Sequence, residues 1–333
     1  MEIGKLPEGL LKSLVLSKLT HERKEVIMGA GVGEDCGVMD FGEEIGVFST
    51  DPITGAGKGI GSLGIYISCN DVASNGVEPV GVLFTLLAPP DTTEEMIAEI
   101  MEDANRAAEK VNVQIIGGHT EVTDAVNQMV VSTTAIGKKP KNGMIFSKGA
   151  KVGDKIIMTK HCGLEGAGIL ASDRREFLKD GISSEILDEA EAYLGEISVV
   201  KEGVIAGVYG VNAMHDVTEG GILGALWEIG EASKLGVKVD IRKVPIKDGT
   251  KTIAKVLNLD PYRLISSGVM VMALEDHRVK GLIHQLREQG IEAKEIGEII
   301  EGESLVIDHK GRKTPLNAPQ SDELYKGLKV KML

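Results

Sequence analysis

The sequence is poor in cysteine and has no long apolar run. Its three cysteines, Cys36, Cys69 and Cys162, show no CxxC spacing and no clustering, so a disulfide framework is not predicted and we expect reduced thiols. The longest apolar run, VGVLFTLLA at 80–88, is far shorter than the roughly 20 residues of a membrane span. The N-terminal residues also lack the apolar core of a signal peptide. We therefore expect a cytoplasmic protein without membrane association.

Basic residues are also too few for a protein that binds nucleic acid. Lysine and arginine number 37 against 50 aspartates and glutamates, which gives a formal net charge of −13. The field of such a molecule repels phosphate backbones and anionic membranes. A nucleotide would need a locally neutralised pocket, supplied by Mg²⁺, by lysine or by helix N-termini.

Glycine, in contrast, is abundant, with 42 residues in a chain of 333, which indicates many tight loops. The length suggests about two domains. The polar stretch KKPKNGMIFSKGAKVGD, at 138–154, has the composition of a linker. We therefore predict an N-terminal domain over 1–150 and a C-terminal domain over 151–333.

Strand-like and helix-like patterns alternate through both halves, which predicts an α/β or α+β protein. The best-defined helix is expected over 91–111, with Asp91 or Thr92 as its N-cap. The predicted elements are helices over 7–19, 60–76, 91–111, 163–172, 174–208 (a pair), 222–235 and 276–289, and strands over 46–51, 78–88, 113–118, 129–137, 155–160, 208–214, 237–241, 267–274 and 292–300.

The stretch MHDVTEGG, at 214–221, predicts a strand that stops at His215-Asp216 and a tight loop that leads into a helix. Gly220 and Gly221 would leave backbone N–H groups free at the helix start, where the helix dipole favours an anion. An acidic side chain in the same loop could instead hold a cation. Many αβ proteins use such a turn for packing alone, so both interpretations stay open.

Four aspartates, Asp35, Asp51, Asp71 and Asp216, occur near strand ends or in segments flanked by glycine. If they converged, each pair at about 4 Å would repel by about 4 kcal/mol at an effective dielectric of 20. Only protonation or a bound cation would tolerate this, and oxygen-rich sites of this kind favour Mg²⁺. The alternative is that each aspartate only caps a local turn.

A third candidate is IIGGHTEVT, at 115–123, in which a strand enters Gly117 and Gly118 and is followed by His119, Thr120 and Glu121. The glycines would let a polyphosphate approach, with His119 or Glu121 in contact with it or its metal. Alternatively, His119 is an ordinary hydrogen-bonded loop histidine.

Several common motifs are absent from the sequence. GAGKGIG contains Lys58 but lacks the spacing of a Walker A loop, and no GxGxxG opens a helix after a strand, so neither a P-loop nor a dinucleotide fold is predicted. Cys162 lies beside His161, but adjacency in sequence does not make a catalytic dyad. We expect Cys162 to be structural.

Read together and in this order, GEDCGVMD, STDPI, NDVASNGVEP, GGHTEV, HDVTEGG and SSGVMV resemble the motifs of the aminoimidazole ribonucleotide synthetase superfamily. The nearest branch is that of hydrogenase maturation protein E, and the resemblance spans nearly the whole chain. It implies two αβ domains, a C-terminal sheet covered by helices, and a homodimer in which the N-terminal mixed sheets form a shared barrel. It also implies Mg²⁺-dependent use of ATP to phosphorylate an oxygen of a small substrate.

The resemblance also implies roles for individual residues. Asp35, Asp51, Asp71 and Asp216 would bind metal. Asp71, His119 and Asp216 would be catalytic. Nucleotide-binding positions would be Asn70, Gly117, Gly118, Thr120, Gly220 and Gly221.

Two departures from the family pattern leave alternatives open. The chain ends in DELYKGLKVKML, without the terminal cysteine of the maturation protein, and His119 replaces an aspartate of the usual GGDT motif. One alternative is a scaffold that binds ATP and a maturation partner protein without turnover. The other is a thiamine monophosphate kinase of the same superfamily.

Overall fold

The computed structural model describes residues 6, 8–31, 34–54, 59–141 and 143–330, and these residues form two sheets. The strands of the first sheet are β1 (Val26–Met28), β2 (Gly37–Asp40), β3 (Glu44–Ile53), β4 (Pro79–Ala88), β5 (Gln114–Val122) and β6 (Val130–Pro140). Their order is β1-β2-β3-β6-β4-β5; β4 and β5 are parallel, and the other described pairs are antiparallel. The predicted mixed N-terminal sheet is therefore confirmed.

Two long helices cover one face of this sheet. The helices of this half are α1 (Glu8–Leu10), which continues as irregular helical turns to Lys18, α2 (Ile60–Ser74) and α3 (Glu94–Val111). Helix α2 lies directly on β6: a Cβ at Gly64 would come within 2.7 Å of the Val131 side chain. Nearly all of α2 is buried, so its polar residues Asn70 and Asp71 lie inside the molecule.

The second sheet has seven strands in the described part of the chain. They are β7 (Lys155–Thr159), β8 (Ala213–Asp216), β9 (Gly236–Asp240), β10 (Met270–Leu274), β11 (Ala293–Ile300), β12 (Leu305–Ile307) and β13 (Lys313–Pro315). The order is β13-β12-β9-β11-β7-β10-β8. The central strands β7 and β10 are almost wholly buried, which requires cover on both faces.

Helices provide this cover, as predicted. They are α4 (Leu164–Asp173), α5 (Arg175–Leu178), α6 (Ser184–Ala192), α7 (Val200–Tyr209), α8 (Gly221–Ser233), α9 (Asp248–Leu257), α10 (Asp276–Glu288) and α11 (Glu323–Lys329). Residues of α8 share one apolar cluster with the sheet, and residues of α7 and α10 share another. Within the described ranges, no helix combines the length and apolar character needed to cross a membrane.

Several element boundaries differ from the predictions. The N-cap of α3 is Thr93, whose Oγ1 accepts a hydrogen bond from the Met96 N–H, rather than Asp91 or Thr92. The predicted strand over 208–214 was wrong at its start, because Val208 and Tyr209 end α7 and β8 begins only at Ala213. Strand β6 also continues through 138–140, which were predicted to be linker.

Candidate functional site

Asp35, Asp51 and Asp71 come from three different elements of the N-terminal half. Asp35 immediately precedes Cys36 and β2, Asp51 lies in β3, and Asp71 lies in the buried helix α2. The Ser49 hydroxyl donates a hydrogen bond to Asp71 Oδ2 and lies 3.5 Å from Asp51 Oδ2. One hydroxyl thus lies between two carboxylates, which places Asp51 and Asp71 side by side.

Asp216 joins this group from the C-terminal half. It is the last residue of β8 and is 2% exposed. Burial raises the pKa of Asp71 well above its ordinary value, and the charges of Asp216, Asp35 and Asp51 raise it further. Asp71 therefore lies close enough to the other three aspartates to feel their charges, and we call the four residues the aspartate cluster.

Within the aspartate cluster, the buried Asp216 lacks hydrogen-bond donors among the described residues. Neither carboxylate oxygen of Asp216 has a hydrogen-bond partner among the described residues, although both are buried. Burial raises the pKa of Asp216, and the neighbouring His215 opposes this shift. A buried carboxylate without partners is costly. The cluster therefore fits a bound cation, which would satisfy these oxygens.

His215 is a member of the site that was not identified from the sequence. Its imidazole is 4% exposed, and Nδ1 lies 3.7 Å from both Asp35 Oδ2 and Asp216 Oδ1. Burial alone would lower the pKa of His215, but the carboxylates of Asp216, Glu228 and Asp35 outweigh burial and raise it well above its usual value. The sequence feature that could have identified His215 is its position beside Asp216 at the end of an apolar run.

Cys36 and Cys162 are buried thiols with structural roles. Burial raises the pKa of the Cys36 thiol well above its usual value, and the four aspartates raise it further, so the thiol stays neutral. Cys162 is fully buried, with a pKa raised to about 12 by burial. Neither residue has the low thiol pKa of a nucleophile.

Asn70, a predicted nucleotide-binding residue, makes hydrogen bonds within the chain. Its side chain is fully buried; Nδ2 donates to the Ile197 carbonyl, and Oδ1 accepts from the Val199 N–H, each at 2.8 Å. Both ends of the amide thus bind the backbone that precedes α7. Asn70 holds the two halves together beside Asp71 and offers no exposed atom to a nucleotide.

Gly117, Gly118, His119 and Thr120 lie on β5 rather than in a loop, because this strand continues to Val122. Gly118 adopts a φ of +150°, and a Cβ there would lie 1.8 Å from the Phe84 carbonyl, so close approach of β4 requires glycine. Register places Gly118 three strands from Asp51, through Phe84 and Thr133. At about 4.8 Å per strand, Gly118 and Asp51 are separated by about 14 Å. Within a single chain, the neighbouring His119 is therefore too far from the aspartate cluster to contact it.

Gly220 and Gly221 lie at the start of α8, as predicted, but a carboxylate of the same chain already binds this helix start. The Gly220 N–H donates to Asp322 Oδ2 at 2.7 Å. A Cβ at Gly221 would lie 2.6 Å from the Tyr262 carbonyl. The glycine pair is therefore explained by close packing and by a carboxylate from the C-terminal segment. Lys58 lies outside the described residues.

A cleft of about 1120 Å³ is lined in part by Lys160, Lys201, Glu202 and Glu292. None of its lining residues belongs to the aspartate cluster. Lys160 in this cleft is paired with Glu202 through a contact of 2.6 Å. This cleft and the buried Asp216 oxygens without hydrogen-bond partners among the described residues therefore lie at different places in the molecule.

Comparison with known proteins identifies the family. Residues 33–138 match the AIR synthase related protein, N-terminal domain, and residues 151–310 match the corresponding C-terminal domain. A putative hydrogenase expression/formation protein from Methanocaldococcus jannaschii is 30% identical over 290 residues, covering 86% of this chain and 84% of that protein. Carbamoyl dehydratase HypE from Bradyrhizobium diazoefficiens is 27% identical over 277 residues, covering 80% and 78% respectively.

Solved structures show the same fold. A chain from the crystal structure of a HypE–HypF complex has a TM-score of 0.77 at 21% identity and covers 93% of this chain and 99% of its own length. Hydrogenase maturation protein HypE in complex with ATP has a TM-score of 0.68 at 20% identity, with coverages of 96% and 97%. The chain therefore belongs to the AIR synthase-related protein family, among homologues named as hydrogenase expression/formation proteins.

Proposed function

We propose that this protein is an ATP-using enzyme that depends on a divalent cation, Mg²⁺ in the first instance, and transfers a phosphoryl group to an oxygen of a small substrate. The observation that carries the proposal is the aspartate cluster, in which the buried Asp216 oxygens have no hydrogen-bond partner among the described residues. Phosphoryl transfer needs positioning and charge neutralisation more than covalent chemistry. The ATP complex of a HypE with the same fold supports the choice of nucleotide.

Each aspartate has a proposed role. Asp35, Asp51, Asp71 and Asp216 hold the cation, which when bound neutralises phosphate charge. Asp71 and Asp216, the two buried members of the cluster, are the proposed catalytic residues. The Ser49 hydroxyl, bonded to Asp71, fixes the direction of that carboxylate, and the Asn70 contacts with 197–199 hold the two halves at the spacing that the cluster needs.

The names of the relatives support a substrate class. Carbamoyl dehydratase HypE acts, by its name, on a carbamoyl group, so a carboxamide oxygen is the proposed acceptor. The structure of a HypE–HypF complex supports a maturation protein as a partner. Such a partner would present the substrate to the cluster.

A homodimer is part of the proposal. Strand β5 is an edge strand that pairs only with β4 among the described strands, and Ile116 and Val122 on it are 53% and 54% exposed. An exposed apolar edge is suited to pairing with a second copy. Residues 117–120, which lie on this edge strand, would then bind the phosphates of ATP where the two copies meet. We expect Ile116→Asp to convert a dimer to a monomer in light scattering, and a monomeric native protein would contradict this part of the proposal.

Phosphate release tests the activity. With Mg²⁺, ATP and a carbamoylated acceptor, we expect stimulated release that falls by at least about 100-fold in Asp71→Asn, because a charge that orders the phosphoryl group is lost. Asp91→Asn, at an exposed aspartate, is the matched control. Tight ATP binding without release would favour the scaffold, and formation of thiamine diphosphate from the monophosphate would favour the kinase.

A further inference from the structure

His215 directs one ring nitrogen at the aspartate cluster without bonding to it. Nδ1 lies 3.7 Å from Asp35 Oδ2 and 3.7 Å from Asp216 Oδ1, beyond hydrogen-bond distance. It has no other partner among the described residues, although the side chain is only 4% exposed. A buried polar atom of this kind needs a ligand.

The other ring nitrogen is held in place. Nε2 lies 3.0 Å from Glu228 Oε2, on α8. A carboxylate at this position accepts the Nε2–H, so that when a metal displaces the proton from Nδ1, the lone pair of the neutral imidazole lies on Nδ1. A histidine that ligates a metal is commonly oriented by such a carboxylate.

The three groups have the spacing of metal ligands. In the described part of the chain, one donor atom each from Asp35, His215 and Asp216 lies within 4.8 Å of the others. The two distances from Nδ1 are below about 4.2 Å, twice a typical metal–ligand bond of about 2.1 Å. A single ion can therefore contact the nitrogen and either carboxylate, and the two carboxylates, which lie within 4.8 Å of each other, can share it after a shift of about 0.6 Å at most.

We propose that Asp35, His215 and Asp216 form a mixed nitrogen and oxygen site that binds a divalent first-row transition metal, such as Mn²⁺, more tightly than Mg²⁺. Imidazole favours transition metals, whereas Mg²⁺ prefers oxygen ligands alone. This inference rests on the proposed function in placing a cation at the aspartate cluster, and it adds the identity of that cation. The competing explanation is that a protonated His215 is itself the cation of the cluster.

The test measures metal binding to the full-length protein without nucleotide. Mn²⁺ and Mg²⁺ affinities come from calorimetry, and pulsed electron paramagnetic resonance detects ¹⁴N coupling to bound Mn²⁺. We expect the wild-type protein to show histidine ¹⁴N coupling. His215→Gln keeps a nitrogen that can donate to Glu228 but removes Nδ1, so we expect loss of the coupling, at least tenfold weaker Mn²⁺ binding and an Mg²⁺ affinity within about twofold of wild type.

Two further variants guard against misfolding and non-specific effects. Glu228→Gln retains an acceptor for Nε2–H, so we expect the ¹⁴N coupling to remain while Mn²⁺ binding weakens by about tenfold. His284→Asn, on an exposed histidine of α10 with 70% side-chain exposure, should match the wild-type protein in all three measurements.

The possible results separate this inference from the proposed function. Tighter binding of both ions in His215→Gln would show that the imidazole is a competing charge, and it would overturn the inference. Tight Mn²⁺ binding without ¹⁴N coupling in the wild-type protein would also overturn it, but would leave a carboxylate cation site and the proposed function intact. Binding of neither ion, with or without an ATP analogue, would overturn both.

Discussion

The loop between β8 and α8, residues 217–220, separates two groups of acidic side chains that differ in their hydrogen-bond donors. The aspartate cluster lies at its beginning, with Asp216. A second group lies at its end and consists of Glu165, Glu219 and Asp322, which we call the α8 acidic group. The carboxylate of Asp322 accepts hydrogen bonds from the N–H groups of Gly220, Ile265 and Leu324.

Each carboxylate of the α8 acidic group accepts a hydrogen bond from another residue of the chain. Glu165 accepts from the Ser267 N–H at 3.3 Å, and Glu219 accepts from the Tyr325 hydroxyl at 2.7 Å. Asp216 has no such donor. Acidity and burial alone therefore do not mark a cation site in this protein. The distinguishing property is whether the carboxylate oxygens already have donors, and Asp322 and Asp71, one from each group, should respond oppositely when the carboxylate is replaced.

The largest effect is expected for Asp322→Ala. This change leaves three N–H groups without their acceptor, at about 1 to 3 kcal/mol each where they stay dry, while removal of a buried charge offsets part of the loss. We expect the free energy of unfolding to fall by about 3 kcal/mol in urea titrations that follow the fluorescence of the single tryptophan, Trp227. Asp248→Ala, at an exposed aspartate, should change it little. An equally stable Asp322→Ala protein would contradict the contrast.

The second effect concerns pH. Burial raises the pKa of Glu165 from 4.5 to about 7, so the folded state binds more protons than the unfolded state between these values, and stability falls as pH rises through this window. The shift corresponds to roughly 3 kcal/mol. We expect Glu165→Gln to lessen this slope in urea titrations between pH 4.5 and 7.5, while the part contributed by Asp71 and Asp216, whose pKa values are also raised by burial, remains. Glu99→Gln, at an exposed residue, should keep the wild-type slope, and a wild-type slope in Glu165→Gln would show that Glu165 does not contribute to the pH dependence.

The fold was largely predictable because its long elements have strong periodic patterns. Helix α3 and strand β6 appear close to their predicted positions, since amphipathic spacing and β-branched runs are local properties. Strands β1 and β2 were missed because segments of three or four residues carry little periodic signal. The predicted end of β5 at Gly118 was wrong because the glycine pair accommodates the backbone of β4 and does not end the strand.

The site was predictable only in part. Asp35, Asp51, Asp71 and Asp216 were selected by their positions near strand ends and glycines, but only the family motifs favoured their convergence, because local patterns do not show which distant segments will meet. Partners contributed by remote segments were invisible for the same reason. The sequence does not reveal that Asp322 accepts a hydrogen bond from the Gly220 N–H. Nor does it reveal that the backbone of residues 197 and 199 forms hydrogen bonds with the side-chain amide of Asn70.

Asp71→Asn should shift stability in the direction opposite to Asp322→Ala. The raised pKa of Asp71 means that ionisation costs stability as pH rises above its unfolded value. At pH 8 with a chelator, we therefore expect Asp71→Asn to unfold at higher urea and to gain about 1 to 2 kcal/mol from the relief of repulsion. Saturating Mg²⁺ should reverse the order, because only the wild-type protein gains full binding energy. A variant that is less stable even with the chelator would mean that the hydrogen bond from Ser49 to Asp71 outweighs the repulsion from the other aspartates.

Tyr325→Phe is the smallest and most selective change. It deletes one hydroxyl, which donates to Glu219 Oε1 at 2.7 Å, and keeps the ring, so any loss reports the hydrogen bond rather than packing. Because Glu219 is only partly buried, water can replace the donor, and we expect a loss of about 1 kcal/mol in urea titrations. The loss should be the same with a chelator and with Mg²⁺, since the α8 acidic group does not depend on a cation. A loss that Mg²⁺ abolished would mean that the two acidic groups share one cation site and that the contrast between them is wrong.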